Sequence, residues 1–170
     1  MNAVDVTFIW AGVPPTRSLG VSKRGRIFVN EAYRNWKKQA HRWIADETRR
    51  VLGVKTPKDL EVEHIFLRVN FYMKDLHKAD LDNLIKPVLD AIVLSGFIPD
   101  DKAQWARNIG AYAVRSDVEQ TIVNITAWIG NETAYKLWYD GLTEWEQNLA
   151  DMRPISDDVS LSDVHEIPLD

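Results

Sequence analysis

KADLDNLIKPVLDAIVLSGFIPDD, from Lys78 to Asp101, is the stretch that decides how this chain is read. It opens with Asp80-Leu81-Asp82 and closes with Asp100-Asp101. Between the acidic ends, roughly over Asp82–Ser95, runs an apolar segment with helical spacing and one internal lysine, Lys86. Gly96 is a natural place for that helix to end, because glycine enters the left-handed region without steric cost. Pro87 has no N–H and disturbs the bond to residue 83, which predicts an irregular first turn or a bend.

The neighbouring segments extend the pattern. Val4–Ala11 is β-branched and aromatic and reads as a strand, ended by Gly12-Val13-Pro14-Pro15. Thr16–Arg26 reads as a polar loop carrying Arg17, Lys23, Arg24 and Arg26. Asn30 is placed to cap a helix reaching about Val51, with Tyr33, Trp36, Ala40 and Trp43 on one face. Glu61–Tyr72 alternates, with Ile65, Leu67, Val69 and Phe71 on one side, and predicts a half-buried strand. Lys74–Ala79 is a polar connection. Gln104–Arg115 and Thr121–Ile129 read as two strands joined at Ser116-Asp117, a terminal hairpin.

The order strand-helix-strand-helix-strand-strand over residues 1–130 predicts a single mixed α/β (α+β) domain. Asn131 then caps a predicted third helix to about Met152, in which Tyr135, Trp138, Leu142, Trp145 and Leu149 form an apolar stripe. That helix, residues 131–153, is expected to pack on the domain or on a second subunit. Residues 154–170 are acidic and poor in aromatics, the composition of a disordered tail.

The chain has no cysteine, so disulfides, zinc–thiolate sites and thiol nucleophiles are excluded. His41, His64, His77 and His165 lack metal-ligand spacing, which argues against zinc. No apolar run approaches the ~20 residues of a membrane span. Met1–Gly12 is short and carries Asp5, unlike a signal peptide, so a cytoplasmic location is the expectation. A net charge of −4 would argue against nucleic acid if it were uniform. Residues 1–58, however, carry 12 Lys/Arg against 4 Asp/Glu, and residues 131–170 carry 2 against 10. Such asymmetry points to nucleic-acid contact plus an acidic tail that docks a protein partner or competes with DNA, although solvated surface would also produce it.

Carboxylates crowded around one short helix repel one another. A divalent cation relieves that repulsion. Mg²⁺ prefers oxygen ligands and is commonly held by one or two carboxylates plus waters and substrate phosphates. A carboxylate cluster with a nearby lysine therefore reads as a metal-dependent phosphodiester site. The bland alternative is that Asp82 caps the helix, Lys86 pairs with Asp82 or Asp90 on the shared i, i+4, i+8 face, and Asp100-Asp101 is a solvated turn.

At these residues the chain resembles the RusA-type Holliday-junction resolvase family of crossover junction endodeoxyribonucleases. The family pattern is D-x-D-N-x-x-K, an apolar helix, then G-x-x-x-D-D. Here it reads Asp80-Leu81-Asp82-Asn83-Leu84-Ile85-Lys86 and Gly96-Phe97-Ile98-Pro99-Asp100-Asp101. The likeness also takes in the Pro14-Pro15 turn, the basic loop and the strand order, over roughly residues 4–130. By position, Asp80, Asp82 and Asp101 match the family's three essential carboxylates, the expected metal ligands. Lys86 matches its essential lysine, which would stabilise developing charge or position the nucleophile.

The resemblance implies a Mg²⁺-dependent homodimer, with Mn²⁺ as a substitute metal, that nicks four-way DNA junctions symmetrically in recombination and repair. Arg17, Lys23, Arg24, Arg26 and Lys78 would contact DNA. Asp100 is expected to support the site and Asp90 to be an ion-pair partner. Of the tryptophans, Trp36, Trp43, Trp138 and Trp145 are expected in the core and Trp105 near DNA. Two departures stand out. Ala79 precedes Asp80 where members often carry a basic residue, and residues 131–170 lie outside the family core. The competing functions are a nuclease for forks or flaps and a non-cleaving junction-binding protein.

Overall fold

Alternation along the chain builds one four-stranded sheet whose apolar face is covered by helices. The structure is a computed structural model describing residues 2–15, 19–21, 27–29, 31–78 and 80–152. Arg17, Lys23, Arg24, Arg26, Asn30 and the acidic segment 153–170 lie outside the described residues, as does the side chain of Lys78.

The elements are β1 (Asn2–Ala11), β2 (Leu19–Val21), β3 (Ile27–Val29), α1 (Glu31–Leu52), β4 (Val62–Met73), α2 (Leu81–Ser95), β5 (Ala106–Arg115), β6 (Gln120–Ile129), α3 (Glu132–Asp140) and α4 (Glu144–Asp151). The main sheet has the order β1-β6-β4-β5. β6 runs antiparallel to both neighbours, and β5 runs parallel to β4. Val4, Val6 and Phe8 of β1, Ile65, Leu67, Val69 and Phe71 of β4, and Val123, Ile125 and Ala127 of β6 are all buried on one face. Those side chains, with Ala40, Ile44 and Leu52 of α1 and Leu84, Val88 and Ile92 of α2, make one continuous core. The result is a single mixed α+β domain.

Three sequence expectations change. The terminal hairpin does not form, because β4 lies between β5 and β6. β6 buries alternate residues along its whole length and takes a central place between β1 and β4. β5 exposes Arg107, Asn108 and Ile109 and takes the edge. Its direction follows from the α2 crossover, since a helical connection delivers the next strand parallel. Second, the segment read as a loop over Thr16–Arg26 contributes a short β2–β3 pair, Leu19 opposite Val29.

Third, the helix read over residues 131–152 is two helices. Asn131 caps α3 as expected, accepting from Ala134 N at 2.9 Å. Gly141 then ends α3, and Thr143 starts α4 with a capping box, its backbone N–H donating to Glu146 at 2.8 Å. The apolar stripe is thereby divided. Trp138 is buried and donates its indole N–H to Asp5 O at 3.1 Å, whereas Trp145 is 69% exposed and joins no core. No described helix is long and apolar enough to cross a membrane.

Candidate active site

The β4–α2–β5 crossover carries the acidic motif and places its two ends differently. Asp80, not Asp82, is the N-cap residue of α2, and Asp82 lies in the first turn. Asp80 does not cap through its carboxylate; its Oδ2 accepts from Asn83 Nδ2 at 2.6 Å. Both carboxylates are exposed at the helix N-terminus, where the dipole favours negative charge. The helix runs unbroken from Leu81 to Ser95 with Pro87, which is buried, inside it.

Gly96 makes the reversal at φ +81°. Directly after it, Phe97 is 1% exposed and Ile98 is fully buried. These two side chains anchor the turn and hold Asp100 and Asp101 beside α2. Asp101 N–H donates to Asp100 Oδ1 at 2.8 Å, and Asp100 also pairs with Lys102 at 2.7 Å. The Asp101 carboxylate accepts a hydrogen bond from Lys86 Nζ, which also lies 3.1 Å from Asp90 Oδ1. Asp90 in turn accepts from the hydroxyl of Tyr33 on α1. Lys37, one turn further along α1, sits 5.7 Å from the Tyr33 ring centre. Lys37, Lys86, Asp90 and Asp101 line an open cavity of about 340 Å³.

The electrostatics fix protonation states. The hydrogen bond to Asp101 raises the Lys86 pKa, burial opposes this, and the bond to Asp90 adds to it. Lys86 is therefore a cation at neutral pH and cannot serve as a base. Burial alone would raise the Asp90 pKa. Hydrogen bonds from Tyr33 and Lys86, with the charges of Lys86 and Lys37, outweigh burial and hold it below its ordinary 3.8.

A depressed carboxylate stabilises the fold above its unfolded pKa and loses that contribution as pH falls through the folded value. Asp90→Asn should then cost about 1–2 kcal/mol at pH 7, and nothing well below pH 3.8. Urea denaturation of both proteins at pH 7 and in acid measures this. A cost that persists unchanged in acid would assign it to packing instead.

Among the described residues, no three His, Asp or Glu side chains converge closely enough to hold a metal ion. The reason is helix geometry: Asp82 and Asp90 are two turns apart, about 12 Å along the axis, and Asp101 sits near the Lys86–Asp90 end. Mg²⁺ does not need a protein cage, since one or two carboxylates with waters and phosphates suffice. The exposed, all-oxygen pair Asp80 and Asp82 fits that requirement, while Asp101 is engaged by Lys86.

The structure thus joins Lys86 to Asp101 and leaves Asp80 and Asp82 as a separate exposed pair. It bears out Asp90 as the ion-pair partner of Lys86. Tyr33 and Lys37 were missed, because they come from a helix almost fifty residues upstream and no local motif marks them. Trp105, expected near DNA, is partly buried against the core.

Exposed carboxylates at the start of the crossover helix and a charge-paired ammonium one turn further on suit a phosphodiester substrate, the kind that nucleases cut. The family model described as Endodeoxyribonuclease RusA matches residues 11–126, most of the chain, and the protein belongs to that family of endodeoxyribonucleases. The match ends within β6, so α3 and α4 lie beyond the matched residues, as does most of β1. Comparison with curated proteins gives no match.

Proposed function

We propose that the protein is a Mg²⁺-dependent resolvase, acting as a homodimer, that cuts four-way DNA junctions by paired symmetric nicks. The observation supporting this most directly is Lys86, held as a cation by Asp101 and Asp90 inside the family-matched segment. Asp80 and Asp82 would hold the metal, with Asp101 as the family's third carboxylate. A Mg²⁺ held there would supply Lewis-acid chemistry, lowering the pKa of a bound water and offsetting charge on the scissile phosphate. Lys86, 40% exposed, presents its ammonium to that phosphate and stabilises the charge that develops there. Asp90 and Tyr33 keep the ammonium in place, so little reorganisation is needed when DNA arrives. Lys37 adds a second positive charge at the cavity rim. Arg17, Lys23, Arg24, Arg26 and Lys78 would neutralise backbone phosphates further out.

Cleavage of a synthetic four-way junction, with and without Mg²⁺, tests the proposal. Paired nicks only with the metal are expected. Cutting of forks or flaps in preference to the junction would replace the substrate, and binding without cutting would replace the activity. Assembly is tested separately. A four-way junction offers two equivalent strands, and a twofold dimer supplies two equivalent sites. Light scattering at micromolar concentration should give twice the chain mass. A monomer mass with full activity would contradict the dimer.

A further inference from the structure

Three tryptophans form an open groove on the flank of α1. Trp36, Gln39 and Trp43 follow one another at spacings of three and four residues and so share one face of the helix. That face looks onto Trp10 near the end of β1. The Trp10 ring lies 5.7 Å from Trp36 and 5.5 Å from Trp43, centre to centre. All three side chains pack against the core, as expected of Trp36 and Trp43, and each is only partly buried. Together with Gln39, Arg42 and Asp46 they line a cavity of about 460 Å³, a size typical of small-ligand pockets. The indole N–H of Trp10 is buried and has no acceptor among the described residues. Buried donors are nearly always paired, so an orphan marks where a partner is missing.

The charge around the groove selects the occupant. Between Glu31 and Trp43, α1 carries Arg34, Lys37, Lys38 and Arg42 against Glu31 alone. The carboxylate at the groove's rim, Asp46, is held by Arg49 at 2.8 Å. The same helix supplies Tyr33 and Lys37 to the candidate active site. A strand leaving that site can therefore cross α1 over basic side chains and reach the tryptophans. Aromatic faces framed by cations are how proteins take single-stranded nucleic acid, because every base has a face to stack and phosphates follow the charge. Bases in duplex have their faces covered and cannot enter.

We infer that the Trp10/Trp36/Trp43 groove is a subsite for unpaired DNA bases, so that this protein recognises opened strands next to the phosphates it cuts. The inference rests on the proposed action on DNA, but it is tested without cleavage. In EDTA, a short oligothymidylate should quench the tryptophan fluorescence of the full-length protein saturably, and a hairpin duplex of equal length should quench it far less. Gln39→Glu places a carboxylate at the rim without touching the core. Trp36→Leu should weaken oligothymidylate binding about tenfold, the loss of roughly one stacked base, and Gln39→Glu about tenfold by repelling the phosphates.

Thermal melting is run in parallel, and Gln39→Glu should melt as the wild type does. Unchanged affinity in both variants overturns the proposal, as does equal quenching by duplex. Quenching that appears only after Pro154–Asp170 is deleted also overturns it, since the groove's occupant is then the chain's own acidic end. A wild-type protein that fails to cut junctions in Mg²⁺ yet passes these tests would remove the resolvase reading and leave the groove's assignment intact.

Discussion

Asp82→Asn should lower junction nicking by about a hundredfold or more while leaving the fold and junction binding in place. Asp82 is exposed in the first turn of α2, so the substitution costs little stability. Its shape hardly changes, whereas its charge, on which affinity for a hard cation depends, is lost. Binding is carried by phosphate contacts elsewhere and should keep its salt dependence. Asp101→Asn should be as inactive for an additional reason. It takes away the charge of the carboxylate that does most to raise the Lys86 pKa, leaving Asp90 as the ammonium's one charged partner among those described. Nicking assays beside gel-shift titrations in Ca²⁺ or EDTA separate the two properties. Normal cleavage by either variant would end the assignment of these carboxylates.

Lys86→Gln should have two effects at once. Nicking should fall by about a hundredfold, because a fixed cation at the developing charge is lost. Stability at pH 7 should also fall, by about 1–2 kcal/mol, because Asp90 and Asp101 now face each other without the ammonium between them. Both carboxylates are partly exposed, which keeps the cost below that of a fully buried pair. Lys86→Arg should recover most of the stability and little of the activity. A planar guanidinium satisfies two carboxylates but does not present the same point charge to a phosphate. Denaturation curves and single-turnover rates on the same preparations give the comparison. Wild-type rates for Lys86→Gln would leave Lys86 as a structural ion-pair residue only.

Local signals carried much of the fold into view. The alternation of Ile65, Leu67, Val69 and Phe71 appears as the buried face of β4, and Gly96 ends α2 in the left-handed region. Partner choice between strands was not legible. That β6 goes between β1 and β4 depends on burial across the whole sheet, whereas adjacency in sequence favoured a β5–β6 hairpin. The break between α3 and α4 was legible but missed. Thr143-Glu144-Trp145-Glu146 is the S/T-x-x-E signature of a new helix start, and the regular spacing of Trp138, Leu142 and Trp145 masked it. In the candidate site, the motif set Lys86 and Asp101 in one site with Asp80 and Asp82, and the structure brings Lys86 to Asp101 while no three carboxylates converge among the described residues. It could not place Tyr33 and Lys37, because nothing in residues 78–101 encodes which helix packs beside α2.

The position of β6 has a consequence for how the protein is made. Asn2 pairs with Ile129, so β1 waits for β6 to be synthesised. At about 5–20 residues per second that wait is on the order of ten seconds. Until then β1 and β4 have open edges and the sheet lacks its middle strand. The acidic crossover is complete well before β6 exists, yet the wall against which α1 and α2 pack is not. A nascent or prematurely terminated chain therefore carries every motif residue without the platform that aligns them. Closing the sheet through β6 is therefore a late folding step that joins segments far apart in sequence, the kind of contact that slows folding.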